Sequence, residues 1–244
     1  MSFRTFKRRL KRRLGLLPPK YKSFVLGSAE NYDLMGRDQF EMLKFWGLRE
    51  DRYLLDIGCG SLSGGRFAIR FLAPGHYFGI EPQQWLIDEG LRREVGPGVI
   101  AAKRPQFSND TAFNLSVFGR QFDFMVAHSI LTHTSQTQMR QLFSAAANAM
   151  SPRAVFLATY LQGDSDYTGA DWIYPGVSLY TFATIEAFAR EHGLRCAPSN
   201  WRHPGRQIWL VFYRDSNEDF VADRRRASAM QSATAVQPGA LAPA

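Results

Sequence analysis

The chain has 244 residues, 45% of them hydrophobic, and a formal net charge of +8. That is enough apolar mass for one sizeable core, and no apolar run reaches the roughly 18 residues a membrane-spanning helix needs. No apolar leader is expected at the N-terminus, and the two cysteines exclude a disulfide framework, so the expected compartment is a reducing cytoplasm.

The charge is concentrated at one end. Arg4, Lys7, Arg8, Arg9, Lys11, Arg12, Arg13 and Lys20 place eight positive charges in the first twenty residues, with no acid among them. The other 22 basic residues balance the 22 acids. Phe3, Phe6, Leu10, Leu14 and Leu17 recur at helical spacing, so residues 1–20 read as a basic amphipathic arm ended by Pro18-Pro19. Such an arm suits an anionic membrane surface or a partner protein. Nucleic acid is not expected, because the arm lacks interleaved base-reading side chains and the remainder has no basic surplus.

Residues 21–216 read as one α/β domain. Tyr32-Asp33-Leu34-Met35-Gly36 precedes an expected helix from Arg37 to Phe45, and Tyr32 and Met35 read as pocket or core residues. Leu54 to Gly65, LLDIGCGSLSGG, reads as a strand, a glycine turn and a helix beginning near Arg66. Gly58 and Gly60 let the backbone approach a ligand closely, and the helix start offers unpaired N–H groups. Asp56, two residues before Gly58, disfavours a pyrophosphate there and favours an amino-bearing or cationic ligand. Cys59 reads as a small residue filling a tight turn.

Tyr77 to Glu81 reads as a strand ending in an acid that can hold ribose hydroxyls, followed by a stiff Pro82. Trp85 reads as an adenine neighbour or as core packing. Phe122 to His133 reads as a further strand and helix start carrying His128, Ser129 and His133. Ala154 to Thr159 reads as a buried strand, and Thr181 to His192 as a helix closed by Gly193. The polar and aromatic stretch Tyr160 to Tyr180, with Trp172 and Tyr174, suits an acceptor-gripping loop. Leu194–Ala197 and Ile208–Tyr213 read as two strands, and their link through Pro204-Gly205 is too short for a crossover helix, so they are antiparallel. Residues 217–244 read as a disordered tail.

The run D-x-G-x-G at Asp56–Gly60, Glu81 after the next strand, Phe122-Asp123 with His133, and the reversed final hairpin together resemble the class I S-adenosylmethionine-dependent methyltransferases. The chain departs from that family's third glycine at Leu62. The resemblance implies a doubly wound, mostly parallel seven-stranded sheet with an antiparallel final strand. It implies S-adenosyl-L-methionine as cofactor, with Asp56, Gly58, Cys59, Gly60, Glu81, Pro82, Asn109, Asp110 and Ser129 around it. Asn109 and Asp110 fall where the family places an acid or amide near the adenine. His128 and His133 are the candidate bases, and Tyr32, Tyr160, Trp172, Tyr174 and His203 the candidate acceptor contacts. No metal is expected, because Ala127-His128 and Thr159-Tyr160 stand where a catechol-type site needs acids. The expected reaction is methylation of a small-molecule, glycan or lipid-linked acceptor at oxygen. An NAD(P)-dependent oxidoreductase and a non-catalytic cofactor-binding protein are the alternatives.

Overall fold

The structure, a computed structural model, describes residues 21–22 and 29–234. The basic arm, residues 1–20, lies outside the described residues. Seven strands form one sheet: β1 (Leu54–Ile57), β2 (Tyr77–Ile80), β3 (Gln106–Ser108), β4 (Phe122–Ala127), β5 (Met150–Tyr160), β6 (Arg195–Pro198) and β7 (Ile208–Tyr213). Their spatial order is β3-β2-β1-β4-β5-β7-β6. The pairs from β3 through β5 are parallel, and β7 is antiparallel to both β5 and β6.

Alternation along the strands splits the core in two. Leu55, Ile57, Phe78, Met125, Phe156 and Phe212 face one side, packed against α5 (Gln136–Ala149) and α6 (Phe182–Glu191). Leu54, Tyr77, Phe124, Val126, Leu157 and Trp209 face the other. Met42 of α1 (Ala29–Phe45), Trp46 just after it and Ile69 of α2 (Gly65–Phe71) cover that second face. Helices α3 (Gln84–Gly90) and α4 (Pro97–Lys103), joined by a π turn at Leu91–Val95, complete the β2-to-β3 crossover. Ser135 caps α5 through a reciprocal pair with Gln138, and Thr181 caps α6 by accepting from the Thr184 N–H.

Two expectations are corrected. Residues 32–36 do not precede the first helix; they are part of it. α1 carries a glycine at position 36 because a Cβ there would stand 2.1 Å from the Ser63 carbonyl oxygen. The expected tail from 217 is helical through 234, as α7 (Glu218–Thr234). Val221 is fully buried with Trp46 and Met42, Ser228 is 1% exposed, and Glu218 and Asp219 complement the helix start.

Candidate active site

The strand order reverses between β1 and β4, and open α/β sheets hold ligands in the crevice at that point, beyond the carboxyl ends of the strands. Register brings the chemistry there. Ile57 pairs with Ile80 and Asp56 with Val126, so Gly58, Glu81 and His128 emerge side by side. A cavity of about 390 Å³ opens among them.

Its floor is the glycine turn. Gly58 and Gly60 both have positive φ, +71° and +52°. A side chain on Gly58 would also strike Ile130 at 2.2 Å. Leu62, at the departure from the family pattern, has φ +65° and is fully buried. The backbone thus keeps the left-handed turn that glycine ordinarily supplies, while the Leu62 side chain packs in the core. Gly64 lines the cavity, and Gly65 lets the Tyr77 hydroxyl approach, 2.3 Å from where its Cβ would be.

Helix α1 presses on this turn from outside. The Tyr32 hydroxyl donates to the Ser61 carbonyl at 2.5 Å, and Gln39 packs on Gly64 and lines the cavity. Tyr32 is therefore corrected as an acceptor contact: it is fully buried behind the turn. Tyr160 is corrected likewise. It is 2% exposed, its hydroxyl donates to Gln162 Oε1 at 2.6 Å, and it does not reach the cavity.

Three acids line the cavity, and two of them, Asp56 and Glu81, are buried. Asp56 is 4% exposed and accepts from the Tyr77 hydroxyl at 2.8 Å. Burial, reinforced by nearby Glu81 and opposed by the Tyr77 bond, pushes its carboxyl up to about 7. Glu81 accepts from the backbone N–H groups of Gly60 at 3.2 Å and Gln83 at 2.9 Å, and burial raises its carboxyl too. Among the described residues neither acid has an ion-pair partner. Cys59 is buried beside them, which holds its thiol well above the usual range and leaves no thiolate.

Of the other expected residues, Pro82, Asp110 and Ser129 line the cavity, with Thr111 and Phe113 next to Asp110. Asp110 Oδ1 accepts from the N–H groups of Ala112 and Asn114, fixing that loop. Asn109 is set behind the wall and donates to the Glu81 carbonyl at 2.8 Å, a positioning bond rather than a ligand contact. Trp85 is 37% exposed, donates to Gln83 Oε1, and does not line the cavity. Ser129, at φ +59°, is held by Thr159 Oγ1 and by the Gln207 amide, each at 2.7 Å.

The far end of the cavity carries histidines. His128 Nδ1 lies 3.0 Å from Gln39 Oε1, and its Nε2 lies 2.9 Å from His203 Nε2. His203 stands behind His128 rather than on the cavity wall, with Nδ1 accepting from the Gly205 N–H at 2.9 Å. Burial holds both rings below the ordinary histidine range, His128 down to about 3 with a further push from His203. His133 lines the cavity, its Nδ1 2.7 Å from the Gly176 carbonyl. The loop after β5 folds back here because Ser178 N–H donates to the Thr132 carbonyl and Ile173 N–H to the His133 carbonyl. That places Trp172 and Tyr174 on the cavity, their ring centroids 5.5 and 5.1 Å from the His133 imidazole. Sequence reasoning missed Gln39, Ser63 and Gln138, which also line the cavity. Tyr32, Gly36 and Gln39 share one face of α1, which is the signal that could have revealed the first of them.

No model of a known protein family matches the chain, and no curated protein matches it. Solved structures do. Magnesium protoporphyrin IX methyltransferase from Synechocystis, with bound S-adenosylhomocysteine, is 14% identical at TM-score 0.58, over 86% of this chain and 94% of that one. The glycopeptide N-methyltransferase MtfA, also with S-adenosylhomocysteine, is 11% identical at TM-score 0.56, over 75% and 90%. A TehB-like methyltransferase from Corynebacterium glutamicum is 13% identical at TM-score 0.54, over 87% and 97%. The strand order, the reversed β7 and these likenesses agree: the chain has the Rossmann-like fold of the S-adenosylmethionine-dependent methyltransferases.

Proposed function

We propose that the protein is an S-adenosyl-L-methionine-dependent methyltransferase acting at oxygen on a small-molecule, glycan or lipid-linked acceptor. One observation carries this reading. Asp56 and Glu81 bring two buried acids, with no basic partner among the described residues, to the glycine turn of one cavity. A pyrophosphate there would meet two carboxylates, whereas a cationic amino acid end and a ribose match them.

The residues present fit that cofactor. Gly58 and Gly60 give its amino acid end a backbone to lie on, Asp56 takes the ammonium, and Glu81 offers lone pairs to the ribose hydroxyls. Asp110 and Phe113 border the adenine side. The bound sulfonium supplies an activated methyl carbon. What remains for the protein is alignment of the acceptor and exclusion of water, which α1 and the β5 loop perform by closing the two ends of the cavity.

We place the protein in the cytoplasm, with residues 1–20 holding it reversibly on an anionic membrane surface. No helix among the described residues is long and apolar enough to cross a membrane.

Isothermal titration of the purified chain tests the reading. Micromolar binding of S-adenosylhomocysteine without binding of NAD(H) or NADP(H) is the expected result. Binding of a nicotinamide cofactor in its place would establish the oxidoreductase alternative. A protein that binds S-adenosylhomocysteine, yet releases none from S-adenosylmethionine over a broad acceptor panel, would be a non-catalytic binder.

A further inference from the structure

His128 and His133 both line the cavity, with His203 behind His128, and their hydrogen bonds give them different roles. The Gly205 N–H can only donate, so His203 Nδ1 accepts and the neutral ring carries its proton on Nε2. That proton is donated to His128 Nε2, so His128 carries its own on Nδ1 and donates it to Gln39 Oε1. The lone pair of His128 is thereby occupied, and so is that of His203. Both are links in a directed chain from the β6–β7 hairpin to α1.

His133 is different. The Gly176 carbonyl can only accept, so Nδ1 donates to it and Nε2 keeps its lone pair. The ring's hydrogen bond among the described residues is the one through Nδ1, and His133 lines the cavity. Beside it stand Trp172 and Tyr174, each 40% exposed and each lining the cavity. Large exposed rings held rigidly around a basic nitrogen present flat apolar faces to a ligand.

Building on the methyl-transfer reading, we infer that the acceptor is a phenol, whose ring lies against Trp172 and Tyr174 with its hydroxyl on His133 Nε2. A phenol matches these surfaces better than a sugar on two grounds. Its flat apolar face stacks on both rings, and it brings fewer hydroxyls that need a partner than a sugar does. Its proton also suits the base. Burial holds His133 below the ordinary histidine range, which makes it a weak acceptor of protons. A phenolic hydroxyl ionises near 10, whereas water, the reference for an unactivated hydroxyl, ionises near 15.7. The smaller gap is the one a weak base can bridge. In the transfer the O–H bond breaks and its proton passes to Nε2. The oxygen bonds to the methyl carbon of the sulfonium donor as the carbon–sulfur bond breaks, its electron pair remaining on sulfur. The imidazolium then returns the proton to water.

The test uses the full chain saturated with S-adenosylhomocysteine, titrated with catechol, caffeic acid and 4-nitrophenol, and in a separate arm with methyl glucoside. At least one phenol is expected to bind saturably below about 1 mM, and Trp172→Leu to weaken it roughly tenfold or more. With S-adenosylmethionine supplied, His133→Gln is expected to lower kcat for that phenol by about a hundredfold or more while KM changes little. His133→Asn is the second variant, since its amide can still reach the Gly176 carbonyl. The titration of S-adenosylhomocysteine into each variant reports whether the fold is kept. Binding of the glucoside alone, or of no phenol, to the loaded protein overturns the inference and leaves the methyltransferase reading standing. So does a folded His133 variant with kcat close to that of the parent. Failure to bind S-adenosylhomocysteine at all overturns the underlying reading itself.

Discussion

At the scale of single residues, the site is organised by one conformational and two electrostatic commitments. Leu62 holds a left-handed backbone with a fully buried side chain. Its replacement by methionine conserves volume and is expected to cost no more than about 1.5 kcal/mol. Isoleucine conserves volume too, but a β-branched residue is poorly tolerated at positive φ, so Leu62→Ile is expected to cost clearly more. Urea unfolding of the pair decides the point; equal midpoints would contradict the left-handed turn. Asp56 supplies an electrostatic prediction. Its carboxyl is raised from an ordinary 3.8 to about 7 in the folded chain. The stability it contributes is complete below the ordinary value and is lost as pH rises through about 7. Above that pH the folded protein carries a buried charge that a cationic ligand relieves. Affinity for S-adenosylhomocysteine is therefore expected to tighten about tenfold between roughly pH 6 and pH 8, and to become nearly flat in Asp56→Asn. Calorimetry across that range checks it, and a constant affinity in the parent would remove Asp56 from ligand binding. Burial shifts the carboxyl of Glu81, the second electrostatic commitment, in the same direction.

At the scale of elements, α1 is the part that most changes the reading of the sequence. The stretch Tyr32–Gly36 contains an aspartate and a glycine, both poor helix formers, so local preference does not reveal a helix there. Its reason lies across space: Gly36 is pressed on Ser63 and Tyr32 is bonded to Ser61, contacts that no window of sequence contains. Alanine in place of an interior helix glycine ordinarily stabilises by about 1 kcal/mol. Here the added Cβ would lie 2.1 Å from a carbonyl oxygen, so the sign reverses. Gly36→Ala is expected to lower the melting temperature and to weaken S-adenosylhomocysteine binding by about tenfold or more. A variant melting at or above the parent would show that α1 does not rest on the turn. Tyr32 and Tyr160 illustrate the same limit from the other side. A tyrosine in sequence is equally a ligand contact or a core residue, and only the partner of its hydroxyl, Ser61 in one case and Gln162 in the other, settles which. The glycine turn, Glu81 and the final hairpin were legible because their signals are local: residue type, spacing and loop length. Helix α7 was not, because it is polar overall and joins the core mainly through Val221 and Phe220.

At the scale of the whole molecule, charge and sheet architecture act separately. The arm of residues 1–20 carries eight basic residues against a remainder that is formally neutral. The chain that follows it is tied to the domain: Lys22 pairs with Asp33 and Glu94, and Tyr21 bonds to Glu94, which also pairs with Arg66. Attraction to anionic lipid of about 1 kcal/mol per basic residue, screened beyond roughly 10 Å in ordinary salt, makes surface binding strong at low ionic strength and weak at high. Co-sedimentation with phosphatidylserine vesicles is expected, and is expected to disappear in high salt or when residues 1–20 are removed. Sedimentation unaffected by that removal would exclude the arm as the anchor. The order of the strands has a consequence of another kind. The longest strand, β5, is enclosed between β4 and β7, while the margins fall to β3 and β6, of three and four residues. Pro198 at the end of β6 has no N–H to donate. Neither margin offers a long row of unpaired amides on which a second chain could template itself, so the reversal of β7 also guards the protein against edge-to-edge aggregation.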